Sequence, residues 1–150
     1  MKTEEVVIQL FARDLPPLEP KNVWDATLKQ HIAALPEHRY VVAGKLVVLS
    51  LNPALHLAND DIYACHEIVQ VDEGEPTADL MHALVHRREG DPFNSKYWFS
   101  RMRRHALCPK PIEAKKFVDA CSQGDKGTVE RQWDELRELV RWTRATFTSA

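Results

Sequence analysis

His82 and His86 stand four residues apart in DLMHALVHRREGDPFNSKYWFSR, residues 79–101. On a helix that spacing sets two imidazoles side by side on one face, where they can share one divalent metal ion such as zinc, iron or manganese. His66, from the preceding helix, is the candidate third ligand. Glu67, Asp79 and Glu89 are candidate carboxylates, either as a fourth ligand or as partners that orient an imidazole. Three nitrogens with one open position suit a Lewis acid or a metal-activated water. The glutamate of an HExxH zinc motif is absent, Ala83 standing in its place. Spacing therefore leaves metal binding open beside a plainer reading, in which Asp79, His82, His86 and Glu89 line a wet helix face.

Without a metal, the same residues suit acid–base work. Histidine titrates near neutral pH, and a carboxylate such as Glu89 can fix its tautomer and raise its basicity. Arg87 or Arg101 can hold an anionic substrate group in a two-point fork. Asn59, Tyr63, His66 and Gln70 fall on one helical row, and Asn94, Trp98 and Arg101 on another, so the amides are candidate substrate-binding groups. Tyr97 and Trp98 would add an apolar wall and a hydroxyl, although aromatics of a YWF run commonly belong to a core. Cys65 falls on an apolar stripe, where a thiol is usually inert. Cys108 and Cys121 have no basic neighbour in sequence.

The elements that must position these residues are read from apolar spacing. Val6 to Phe11 reads as a short strand or arm, and Pro16, Pro17 and Pro20 keep the adjoining segment extended. A helix is expected after a cap at Asn22, with Trp24, Leu28, Ile32 and Leu35 as its stripe and Pro36 as its end. Residues 40–51, YVVAGKLVVLSL, fit a buried helix or a buried strand, and helix is the reading adopted. A helix from Asn52-Pro53 to Val69 carries Leu55, Ala58, Ile62, Cys65 and Val69 inward. Thr77 caps the helix of His82 and His86, whose apolar side is Leu80, Met81, Leu84 and Val85. Gly90 stops it, Asp91 caps the next helix, and Pro92 opens that one, which runs to about His105. A shorter helix with Ala114, Phe117, Val118 and Cys121 ends at Gly124. The last begins after Thr128, with Val129, Trp133, Leu136, Val140, Thr143 and Phe147 as a packing seam and a charged, solvated opposite face.

These elements predict an all-α single domain over residues 1–150, a bundle of five to seven helices. Residues 1–21 form an extended N-terminal strand or arm, and 22–150 the helical body. A chain of 150 residues is large enough for one core. A net charge of −2 gives no basic footprint, so nucleic acid is not an expected partner. No apolar run is long enough to span a bilayer, and the first residues do not read as a signal peptide. Three scattered cysteines make neither a disulfide framework nor a metal knuckle, and suit a reducing, cytoplasmic setting. A homodimer is compatible with all of this.

LHLANDDIYACHEIVQ and MHALVHRREGDPFNSKYWFSRMRRH resemble a family of small uncharacterised bacterial and fungal proteins. Its pattern is an H-x-I-x-Q helix followed by H-x-x-x-H-R-x-E-G-D-x-x-N-x-x-Y-W. The matching positions are Asp61, His66 and Gln70, then His82, His86, Arg87, Glu89, Gly90, Asp91, Asn94, Tyr97 and Trp98. FVDAC from Phe117 and the Trp-bearing last helix extend the similarity, which runs from about Ala54 onward. Ile62 stands where the family carries leucine, and MRRH replaces its usual glycine-bearing turn. The resemblance implies that His66, His82 and His86 converge; it implies no particular reaction.

Two functional readings remain open on these residues. In one, the chain is a small all-α enzyme whose His66, His82 and His86 act on a small-molecule substrate as metal ligands or as acid and base. Arg87 or Arg101 then fixes the substrate. In the other it is a noncatalytic ligand-binding or protein-interaction module. Arg87, Glu89 and Asp91 are then a structural polar network.

Overall fold

Four helices open on a proline in their first turn, where the missing N–H costs nothing and the fixed φ is already helical. The computed structural model describes residues 1–36, 40–42, 45–47 and 51–147, with side chains for 1–36 and 51–146. Among these residues the order is α1 (Thr3–Phe11), α2 (Ala26–Ala33), a hairpin of β1 (Tyr40–Val42) and β2 (Lys45–Val47), then α3 (Asn52–Ala58) and α4 (Ile62–Val69). After a 3-10 turn at Gln70–Asp72 come α5 (Pro76–Arg88), α6 (Pro92–Arg101), α7 (Pro111–Gln123) and α8 (Thr128–Phe147). The fold is an all-α single domain, the hairpin being its one extended element among the described residues. No helix there is long and apolar enough to cross a membrane.

α5 is the axis of the bundle. It packs against α3, α4, α6 and α7, and Met81, Ala83, Leu84 and Val85 are almost wholly buried. α8 closes the core with Trp133, Leu136, Val140 and Thr143 of the expected seam, joined by Gln132 and Leu139.

Several expectations are corrected. Residues 3–11 are helical: Val6, Val7 and Leu10 share one buried face, and the Glu5 carboxylate accepts from the Lys2 N–H at 2.6 Å. The N-terminal strand is therefore absent, and irregular chain begins only after Phe11. α2 is capped by Asp25, whose carboxylate accepts from Leu28 N–H at 2.8 Å, and not by Asn22. The run 40–51, expected as helix, supplies both hairpin strands, with Val41 opposite Leu46. β-branched valines favour the pleated alternative there. Its remaining residues, apart from Leu51, lie outside the described ones.

The helix expected from Asn52 to Val69 is two helices. Asp60 adopts φ +59° and ends α3, and Asp61 caps α4 by accepting from Ala64 N–H at 3.1 Å. A left-handed aspartate is tolerable because its side chain finds local partners. Here those partners are arginines: Arg13 Nη2 lies 2.8 Å from Asp60 Oδ2 and Arg88 Nη2 2.7 Å from Oδ1. α5 is capped by Glu75, not Thr77. Thr77 Oγ instead accepts from His105 Nε2 at 3.0 Å, since His105 Nδ1 accepts from Leu107 N–H and leaves the proton on Nε2. His105 lies beyond α6, which ends at Arg101 and not at His105 as expected. The caps at Gly90 (φ +83°) and Asp91, and the stop at Gly124, are as expected.

Candidate functional site

α4 and α5 lie against each other and present His66, His82 and His86 to a common space. His66 Nε2 and His82 Nε2 are 3.2 Å apart. One ligand nitrogen from each of the three rings lies within 4.8 Å of the other two. Two nitrogens bound tetrahedrally at about 2.0–2.1 Å would stand roughly 3.3 Å apart, so the closest pair already has ligand spacing. His82 is buried and the other two rings are half-buried, so the cluster sits at the edge of the core with one side open.

The surroundings orient the rings. Trp98, from α6, lies flat on His82 with centroids 3.9 Å apart and planes 17° off parallel. His86 stacks beside His82 at 4.9 Å, and His66 meets both edge-on. His86 Nδ1 pairs with Glu89 Oε1 at 2.5 Å, which leaves Nε2 as its free nitrogen. A carboxylate on the outer nitrogen of an imidazole is the usual arrangement behind a metal-ligating histidine. Burial, followed by the charges of His86 and His66, pushes the pKa of His82 down to about 4. Its ring is therefore neutral at pH 7, the form in which histidine binds metal. Its Nδ1 is buried without a hydrogen-bond partner.

Other expected site residues divide between rim and scaffold. Tyr97 and Arg101 are on the rim: Arg101 Nη1 donates to Tyr97 Oη at 2.6 Å, and Nη2 pairs with Glu73 at 3.1 Å. Arg101 also lies over the ring of Trp98, so it belongs to the wall of the cluster. Gln70 is exposed one turn beyond His66. Asp79 accepts from Gly74 N–H at 3.1 Å, and Glu67 takes the Tyr63 hydroxyl, so each of these candidate carboxylates has a local partner.

Asn59, Asn94 and Arg87 are placed as scaffold. Asn59 is fully buried and clamps the chain before α2, accepting from Asp25 N–H and donating to Asp25 O. Asn94 donates to Asp91 through both its backbone and side-chain nitrogens. Arg87 points to α8, where it pairs with Glu135 at 2.5 Å, reaches Gln132, and lies over Phe117. It makes no ion pair with Glu89 or Asp91 among the described residues. The network imagined from sequence is thus replaced by a longer-range one. The reason is helical phase: one residue beyond His86 turns Arg87 about 100° away, toward the core.

Sequence reasoning missed Arg88 and Asp60. Arg88 is completely buried, donating to Leu57 O at 2.6 Å, to Pro17 O at 3.2 Å and to Asp60. An arginine in a charged RREGD run reads as a surface residue, and its spacing offers no signal of burial.

The site is thus three imidazoles, one carboxylate behind them, and an aromatic wall with an arginine at its edge. Compared with protein-family models, curated proteins and solved structures, the chain matches none.

Proposed function

We propose that this protein is a small all-α enzyme that uses His66, His82 and His86 to hold one divalent metal ion, zinc being the first choice for three neutral nitrogens. The reading is carried by the 3.2 Å approach of His66 Nε2 to His82 Nε2, with His86 close by. Two ring nitrogens directed at each other satisfy only one donor and one acceptor. They leave the third imidazole, His86, with no part in that contact although its ring lies against both of the others. A cation among them would use all three lone pairs.

His66, His82 and His86 would hold the ion through one nitrogen each, which would leave room in a tetrahedral set for water or substrate. A zinc ion held by these three residues would supply activation of water, and the chemistry would be hydrolysis or hydration of a small molecule. Glu89 holds the proton of His86 Nδ1 and keeps Nε2 directed inward. Trp98 excludes water from one side of His82. Arg101 and Tyr97 supply hydrogen-bond donors for an oxygen-rich substrate group, with Glu73 released as that group arrives. The resemblance to the bacterial and fungal family supports the same residues, since all three histidines lie in its motifs.

The test is metal analysis of protein purified without a histidine tag, followed by cobalt titration. One ion per chain is expected, with cobalt absorption characteristic of nitrogen ligands. His66→Ala, His82→Ala and His86→Ala should each lower metal affinity at unchanged helix content. Wild-type protein that takes up no zinc, cobalt, iron or manganese would end the metal reading.

A further inference from the structure

On the side of α5 opposite the histidines lies a cavity of about 550 Å³, between α5, α6, α7 and α8. This volume is in the range of small-molecule sites. Its walls include Leu80, Leu84, Phe99, Phe117 and Leu139, and Leu80 and Leu84 come from the helix that carries His82 and His86. Two sites would therefore share α5 back to back.

Charge at the mouth is unevenly matched. Four carboxylates border the cavity, and each faces a cation: Glu135 pairs with Arg87, Asp134 with Arg137, Glu138 with Arg141 and Glu113 with Lys116. The bordering cations Lys110 and Arg131 have no ion-pair partner among the described residues. Arg131 is also held in place, its guanidinium 4.0 Å from the ring centroid of Phe117. A guanidinium laid against an aromatic face keeps its N–H groups in the ring plane free to donate. The unmatched charge at an apolar cavity is thus positive and fixed at one place.

We infer that this cavity binds a medium-chain carboxylate, its apolar chain among Leu80, Leu84, Phe99 and Leu139 and its carboxylate on Arg131. The site is independent of the histidine cluster. A chain of eight to twelve carbons, about 10–15 Å extended, suits the span of roughly 12 Å that eight residues of α8 cover from Arg131 to Leu139. An aliphatic amine would meet Arg131 with like charge and leave it unmatched.

The experiment is calorimetric titration of the full chain with monomeric decanoate, decanol and decylamine, all below their micelle concentrations. One decanoate per chain is expected, bound more tightly than decanol or decylamine. Arg131→Gln should weaken decanoate about five- to tenfold and leave decanol unchanged, since it removes a charge-assisted contact only. Ala114→Phe, which fills the cavity from α7, should abolish binding of both while the circular dichroism stays helical. Decanoate should also slow alkylation of Cys108, which lines the cavity. Equal or better binding of decylamine, no saturable binding, or an unchanged Arg131→Gln variant would overturn the inference. So would tighter binding to phosphatidylglycerol vesicles than to free decanoate, which would assign the face to a membrane surface.

Discussion

Arg88 Nη2 stands 2.7 Å from Asp60 Oδ1, and this buried pair fixes where His66 lies relative to His82. Asp60 is at the corner just before α4, which carries His66, and Arg88 ends α5, two residues beyond His86. Arg13 holds the other oxygen of the same carboxylate, so one aspartate binds α1's trailing chain, the α3–α4 corner and α5 together. The site geometry depends on a charge cluster that takes no part in its chemistry.

Asp60→Asn should therefore be severely destabilising. It keeps a residue able to adopt the left-handed backbone but leaves two buried guanidinium groups without a counter-charge. The expected loss is about 3–5 kcal/mol. Urea unfolding measures it, and a midpoint equal to wild type would show that water or another group already compensates Arg88.

Glu89→Gln should weaken metal binding without unfolding the protein. Glu89 is exposed, and its part is to hold His86 Nδ1 at 2.5 Å. Loss of such an orienting carboxylate lowers metal affinity by roughly 10- to 100-fold. Competition with a chelating dye reads that change. Arg87→Met, by contrast, should lower stability and leave affinity unchanged, because Arg87 faces Glu135 and Gln132.

Metal-free protein should lose stability as pH falls below the ordinary histidine value of 6.5. His56, His82 and His105 are all buried, and burial is the leading cause that lowers each pKa. Their rings stay neutral in the folded chain at pH values where the unfolded chain protonates. The unfolded state then binds more protons, so stability is full above the unfolded value and declines as pH drops toward the folded one. His56 is partly offset by Asp61, 3.6 Å away. His105 faces the Thr77 hydroxyl and the Trp142 ring, which carry no charge. His105→Asn should consequently flatten the decline below the ordinary histidine value of 6.5 in thermal melts. A profile as steep as wild type would place the proton uptake elsewhere.

Asp91→Ala should cost about 1 kcal/mol, the usual value of an N-cap. Its carboxylate takes the Asn94 backbone N–H at 3.1 Å and the Asn94 side chain at 2.6 Å. Because α6 carries Trp98 onto His82, the same change should also alter the fluorescence of that tryptophan. Chemical denaturation with intact capping energy would show that Asn94 finds another partner.

Periodicity and punctuation determined much of this molecule. Local steric and hydrogen-bonding rules act within four or five residues. Pro92 with Asp91, Gly124, and the spacing of Leu80, Met81, Leu84 and Val85 therefore carry their meaning wherever they occur. The same locality makes His82 and His86 neighbours on one face. His66 was a candidate from its place on the polar row of the preceding helix as well as from the motif resemblance, but only packing of α4 on α5 brings it to the other two rings. Tertiary structure decided the rest. The split of 52–69 into α3 and α4 depends on Asp60 meeting Arg13 and Arg88, 47 and 28 residues away. Arg87 turned to Glu135, 48 residues on, where nearby Glu89 and Asp91 were the local choice. Val6 to Phe11 became helix because Val6, Val7 and Leu10 had a core to enter on that face. Long-range partners of buried charge and buried side chains leave no periodic trace in a sequence, so those choices became visible only once the helices were packed.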